Sequence, residues 1–154
     1  MDDTRSVRMA GEERAEFLGT GGTGVVSFPT GADDAPYSFP VSYGYDPEDG
    51  EFYLRLAFGP DTEKGSVVDD GKRASLVVYD RDDTDDDRWR SVVVTGRLEE
   101  VTEAAIDSDV VQAMRRIHIP LVDVFERHPR ELTFRFFRIS TAEVTGRKEA
   151  RSDD

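Results

Sequence analysis

The side chains equipped for acid–base, metal or phosphate chemistry are few in this 154-residue chain, and they are scattered. His118 and His128 stand far apart, with Pro120 and Pro129 beside them. Two imidazoles on one helix face need His-x-x-x-His spacing, so this pair reads as a helix-end and a loop histidine, not as zinc ligands. The run DRDDTDDD, Asp80 to Asp87, offers carboxylate oxygens to Ca²⁺. It lacks the alternating spacing, central Gly and distal Glu of an EF-hand loop, and reads as a solvated turn. GTGGTG at 19–24 offers glycine N–H groups, but it follows a helix signal and precedes a strand signal, the reverse of a phosphate-binding loop. No G-x-S-x-G elbow is present, and the absence of Cys removes thiolate nucleophiles, zinc–thiolate and iron–sulfur sites. No metal site is expected, and no catalytic acid or base is assigned.

The elements that must position any site read mostly as strands. Glu12 to Leu18 predicts a brief helix ending at Gly19, with GTGGTG as a flexible connection into a first strand, Val25 to Phe28. Tyr37 to Tyr45 and Glu51 to Leu56 read as a hairpin around the turn DPEDG. Within 60–71, Asp61 or Thr62 is placed to cap one or two helical turns that Gly71 stops. Arg73 to Tyr79 and Trp89 to Val101 are strand-like, with Gly96 marking a bulge or bend. Thr102 to Ile117 has helical spacing, and Leu132 to Val144 is the closing strand. Six strands, two intervening helices and no βαβ rhythm predict a mainly β, α+β fold, an antiparallel barrel or sandwich. One domain is expected over 1–146, with 147–154 a disordered polar tail.

Composition narrows the function class. The chain carries 33 acidic and 20 basic residues, a net charge of −13. That balance repels nucleic-acid backbones and anionic lipid head groups, so neither is an expected partner. No apolar run approaches the ~20 residues of a membrane span, and the acidic N-terminal stretch does not read as a signal peptide. The expectation is a soluble, cytoplasmic protein. Seventeen of the basic residues are Arg and only three, Lys64, Lys72 and Lys148, are Lys. With acids clustered in turns, this resembles the halophilic composition of proteins from salt-loving organisms. Short carboxylates hold water while exposing little apolar stem, and at about 1 M salt a Debye length of ~3 Å screens their repulsion.

Three segments, PYSFPVSYGYD (36–46), TEKGSVV (62–68) and RWRSVVVTG (88–96), in this order and spacing, resemble the pyridoxamine 5′-phosphate oxidase-like flavin-binding proteins. Within that group the chain is similar to the small, incompletely characterised members and the nitroimidazole-resistance proteins, over roughly 8–145. The resemblance implies a six-stranded antiparallel split β-barrel that forms a homodimer and holds FMN at the subunit interface. It implies a flavin-dependent oxidoreductase of unknown small-molecule substrate.

By the same resemblance Lys64 matches the phosphate-binding lysine, with Thr62 and Ser66 as neighbouring hydroxyl donors. Val41, Ser42 and Tyr43 match the strand that lines the flavin, and Ser91 matches a polar contact from the long strand. Trp89, the only Trp, walls the ring or the partner subunit, or else belongs to the core. Departures carry weight too. Ser38 and Glu63 stand where the oxidase has phosphate-binding Arg, leaving Arg55 or Arg73 to replace a missing charge. Arg55 also stands where relatives carry a His, so chemistry assigned to that His is not available. The oxidase's C-terminal substrate motif has no counterpart in TGRKEARSDD, so pyridoxamine phosphate oxidation itself is not expected. Other readings remain: an F420-binding reductase with Arg55, Arg73 and Arg90 against the cofactor's tail, a haem-binding protein using His118 or His128, or a cofactor-free dimeric module.

The acidic composition yields a direct expectation. Thermal melts in 0.1 M and 3 M KCl should differ, with the higher midpoint in 3 M; equal midpoints would remove the salt-adaptation reading.

Overall fold

The computed structural model describes residues 4–59, 67–82, 88–102, 117 and 133–151. Period-two alternation runs through most of them, so strands dominate. These are β1 (Thr4–Arg8), β2 (Gly21–Phe28), β3 (Tyr37–Asp46), β4 (Glu51–Phe58), β5 (Arg73–Asp82), β6 (Arg88–Glu100) and β7 (Thr133–Arg151). A single helix among the described residues, α1 (Gly11–Leu18), lies between β1 and β2. Glu12 and Glu13 favour its start through the helix dipole, and Gly19, at φ 62°, closes it with its N–H bonded to the Ala15 carbonyl.

Neighbouring strands are antiparallel in the order β1-β7-β4-β3-β2-β5-β6, and β6 pairs back onto β7. β7, β4, β3, β2, β5 and β6 therefore form a closed six-stranded barrel, as expected, and β1 is attached outside the ring. β7 makes the closure. It pairs with β4 over 133–139, with β6 over 137–148 and with β1 over 147–151. The register shifts between Thr95 and Gly96, which bends β6 at the expected glycine.

Inward positions fill the barrel with apolar side chains, among them Phe28, Leu54, Leu56, Leu76, Val92, Val94, Leu98, Phe137 and Ile139, each at most 1% exposed. Full burial of one such side chain is worth roughly 1.5–3 kcal/mol. Near one rim the Arg135 guanidinium lies 5.1 Å from the Phe58 ring centroid and 5.0 Å from that of Phe137. It bonds the Glu100 carboxylate and reaches Asp69 at 3.3 Å, tying segment 67–72 to the ends of β6 and β7.

Two expectations change. GTGGTG is not a flexible connection: β2 starts at Gly21, and Gly21 to Gly24 pair with Gly44 to Val41. Missing side chains allow this, since a Cβ on Gly22 would meet the Tyr43 ring at 3.3 Å and one on Gly24 would meet the Val77 carbonyl at 2.6 Å. Nor does a disordered tail begin at 147. Residues 147–151 continue β7, because β1, a strand that the apolar pattern does not signal, satisfies their backbone groups. Lys148 further pairs with Glu13 of α1 at 2.6 Å. The helix expected over 102–117 falls outside the described residues apart from its two ends, and of the segment 60–71, where one or two helical turns are expected, only 67–71 is described.

Backbone proximity at the β6 bend is testable. A Cβ on Gly96 would sit 2.2 Å from the Ser140 carbonyl oxygen, whereas one on Gly11 would meet nothing within 4 Å. Gly96→Ala should lower the urea midpoint by the equivalent of about 1–3 kcal/mol, while Gly11→Ala should cause no loss. Matching midpoints for the two variants would contradict this packing.

Candidate functional site

A filled barrel leaves its outer surface and rims for chemistry. On the outer side of β3 and β4, Ser42 and Arg55 are directly opposite one another. Arg55 is half-buried, with its guanidinium carbon 5.9 Å from the Phe134 ring centroid. Beside it Tyr53 stacks on Phe136, centroids 5.6 Å apart and planes at 25°. This patch joins a cation, a hydroxyl and aromatic rings, though Ser42 and Tyr53 are themselves buried.

Val41 and Tyr43 flank Ser42 but belong to the hydrophobic core, so their side chains face the other way. The Tyr43 hydroxyl donates to the Leu18 carbonyl at 3.0 Å and fastens the end of α1 to the barrel. Burial pushes this hydroxyl up to about 12. It stays a proton donor at neutral pH. Tyr43 also lines a cleft of about 450 Å³ with Phe17, Gly19, Gly22, Tyr79 and Asp80.

The second set lies on β6. Trp89 is 40% exposed and tilts against Tyr79, 57% exposed, with centroids 5.8 Å apart. Trp89 is therefore a surface ring and not core. Ser91 is opposite Tyr79 on one side and Arg147 on the other. In the ring of strands β2 and β5 separate β3 from β6; the other way round only β7 separates β4 from β6, but Arg55 is opposite Phe136 and Ser91 opposite Arg147, well apart along β7, so one chain holds two patches, Ser42 with Arg55 and Trp89 with Ser91. Thr62, Lys64 and Ser66 lie outside the described residues, as do His118 and His128. Tyr79 and Phe134 escaped the sequence reading. Their signal was available, since each is an aromatic at an outward position of an alternating strand.

Among the described residues no group of three His, Asp or Glu is placed to hold a metal ion, and no helix is long and apolar enough to cross a membrane.

Residues 11–148 match the model of the pyridoxamine 5′-phosphate oxidase family. No curated protein gives a match. Among solved structures the chain is similar to the FAD-binding protein of Mycobacterium smegmatis, with 17% identity, TM-score 0.65, and 92% of this chain and 97% of that one covered. An FAD-binding protein of Mesorhizobium loti shows 23% identity and TM-score 0.64, with coverage of 97% and 99%. The FAD and haem binding protein of M. smegmatis shows 15% identity and TM-score 0.55, with coverage of 92% and 71%. At these identities the likeness is one of fold.

The Tyr43 bond has a pH signature. Its proton is held more tightly in the folded chain, so that contribution is complete below pH 10 and is lost as pH rises through about 12. Tyr43→Phe should cost about 1–3 kcal/mol at neutral pH, by orphaning the Leu18 carbonyl, and should flatten the stability profile over this alkaline range. Parallel profiles for the two proteins, measured by urea unfolding, would exclude the assignment.

Proposed function

This chain belongs to the pyridoxamine 5′-phosphate oxidase family, and we propose that it is a flavin-binding homodimer, an FMN-dependent oxidoreductase acting on a small molecule in the cytoplasm. One observation carries the reading: the residues suited to a flavin form two separate patches on the outside of one barrel, Ser42 with Arg55 on β3 and β4 and Trp89 with Ser91 on β6, with β2 and β5 between β3 and β6. A two-fold pair of chains brings the Ser42 and Arg55 patch of one copy toward the Trp89 and Ser91 patch of the other. Closed two-fold pairing is the commonest oligomer of soluble proteins.

The chemistry of each patch fits its share of the cofactor. Arg55, with Lys64, Thr62 and Ser66 from segment 60–66, would supply cationic and hydroxyl donors to the phosphate. Ser42 and Ser91 would offer hydroxyls to the polar edge of the ring, and Trp89 a flat wall. When bound, the flavin supplies hydride or electron transfer at its N5 atom. The protein's own tasks are orientation, charge complementarity and exclusion of water. A small, discrete substrate suits a chain of net charge −13, which disfavours polyanionic partners.

The absorption spectrum of protein purified in molar KCl, taken after adding FMN and removing the excess, tests the reading. A retained band near 450 nm is expected. Lys64→Ala should then weaken FMN by about 1.5–3 kcal/mol, leave riboflavin binding unchanged and keep the dimer. A folded protein that retains neither FMN nor FAD would overturn the proposal. A Soret band on adding haem would point instead to haem binding, and capture of F420 alone to a deazaflavin reductase.

A further inference from the structure

We propose that a crevice between the end of β2 and the start of β5 binds a small organic monocarboxylate, with the carboxylate on Arg73 and the apolar body against the crevice floor. The site arises where two neighbouring strands part. β2 pairs with β5 only over Val25 to Ser27, opposite Val77 to Ser75. Pro29, two residues on, has no N–H for a further ladder bond, so the pairing stops there. A crevice of about 270 Å³ lies beyond the last pair.

Its lining divides into an apolar floor and a polar edge. Phe28 and Ala74 are buried and supply the floor, while exposed Pro29 and Pro36 add apolar walls. Arg73, Ser75 and Ser27 make the edge, all on the outward side of their strands, and Ser27 is directly opposite Ser75. The Ser27 hydroxyl lies 2.7 Å from that of Ser38. When Ser38 donates in this pair, the Ser27 proton is left to point at a ligand. A mostly apolar hollow with a few converging polar groups is the common form of a small-molecule site.

Charge and size select the ligand. Arg73 is exposed, and its side chain has no hydrogen bond or ion pair among the described residues. Arg97, directly opposite on β6, donates to the Gly71 carbonyl at 3.0 Å and places a second positive charge nearby. A planar carboxylate accepts two parallel N–H bonds from one guanidinium. Phosphate would find few donors here and would leave the floor unused, and a polyanion would meet the repulsion of a chain of net charge −13. The volume falls just below the ~300 Å³ at which drug-sized pockets begin, so the body is a single ring or a short chain. The crevice is separate from both flavin patches: Arg73 is about 20 Å from Tyr79 along β5, and Ser38 about 13 Å from Ser42 along β3.

Benzoate, one ring bearing one carboxylate, is the probe. Equilibrium dialysis of labelled benzoate against the full chain, in the lowest KCl concentration that keeps it folded, should show saturable binding at one site per chain. Arg73→Gln should weaken it at least tenfold, while Arg8→Gln, which removes an exposed cation on β1, should leave it unchanged. Benzamide, the uncharged counterpart, and inorganic phosphate, which has no ring, should each bind at least tenfold more weakly than benzoate. Absence of saturable binding, or equal affinity in the unaltered and Arg73→Gln proteins, overturns the site. Benzamide or phosphate binding as tightly as benzoate overturns the ligand class. Added FMN should leave the benzoate affinity within twofold; a tenfold loss would place Arg73 at the flavin phosphate instead and overturn the separate site.

Discussion

Closure of the strand ring through β7 is the constraint on which the other features depend. One strand must satisfy β4 along one part of its length and β6 along another, so it runs to 19 residues and is longer than any of its partners. The shift of register at Gly96 lets β6 follow it round the bend, and only glycine tolerates the Ser140 carbonyl at that distance. Arg135 sits between the Phe58 and Phe137 rings where β4 and β7 meet, so the same strand that closes the wall also anchors segment 67–72.

A ring of six strands has an interior only wide enough for side chains, and here it is filled by Phe, Leu, Val and Ile. Ligands are thereby confined to the outside of the wall. Alternation then divides each candidate strand between two duties. Tyr43 gives its ring to the core and its hydroxyl to α1, while Ser42 one position earlier is left to face Arg55. Ser91 and Val92 divide in the same way on β6. Chemistry on such a wall comes as separate patches.

Much of this was legible from residue order. The hairpin around DPEDG, the strands beginning near Arg73 and Trp89, the helix before Gly19 and the bend at Gly96 follow from local propensity and turn chemistry, which short-range physics decides. What was not legible depended on distant partners. Gly21 to Gly24 carries only the Thr23 side chain to announce a strand, yet it pairs with β3, and the bare Gly22 and Gly24 are what Tyr43 and Val77 require. The polar stretches TRSVR and RKEAR look unfit for a sheet separately, and each is ordered by the other. The site followed the same division. Types and order of residues suggested Ser42, Arg55, Trp89 and Ser91, but only the strand order revealed that they fall into two groups.

β1 also bears on how the protein behaves in a crowded solution. A sheet edge offers unpaired N–H and C=O groups to any passing strand, and the part of β7 beyond β4 would be such an edge if it stood bare. β1 covers it and becomes the edge itself, but it is only five residues long and carries Arg5 and Arg8. A short, cationic edge is a poor template for strand addition. A chain shortened past Arg8 would expose the backbone of 147–151, and its failure would take the form of fibrous self-association of otherwise intact barrels.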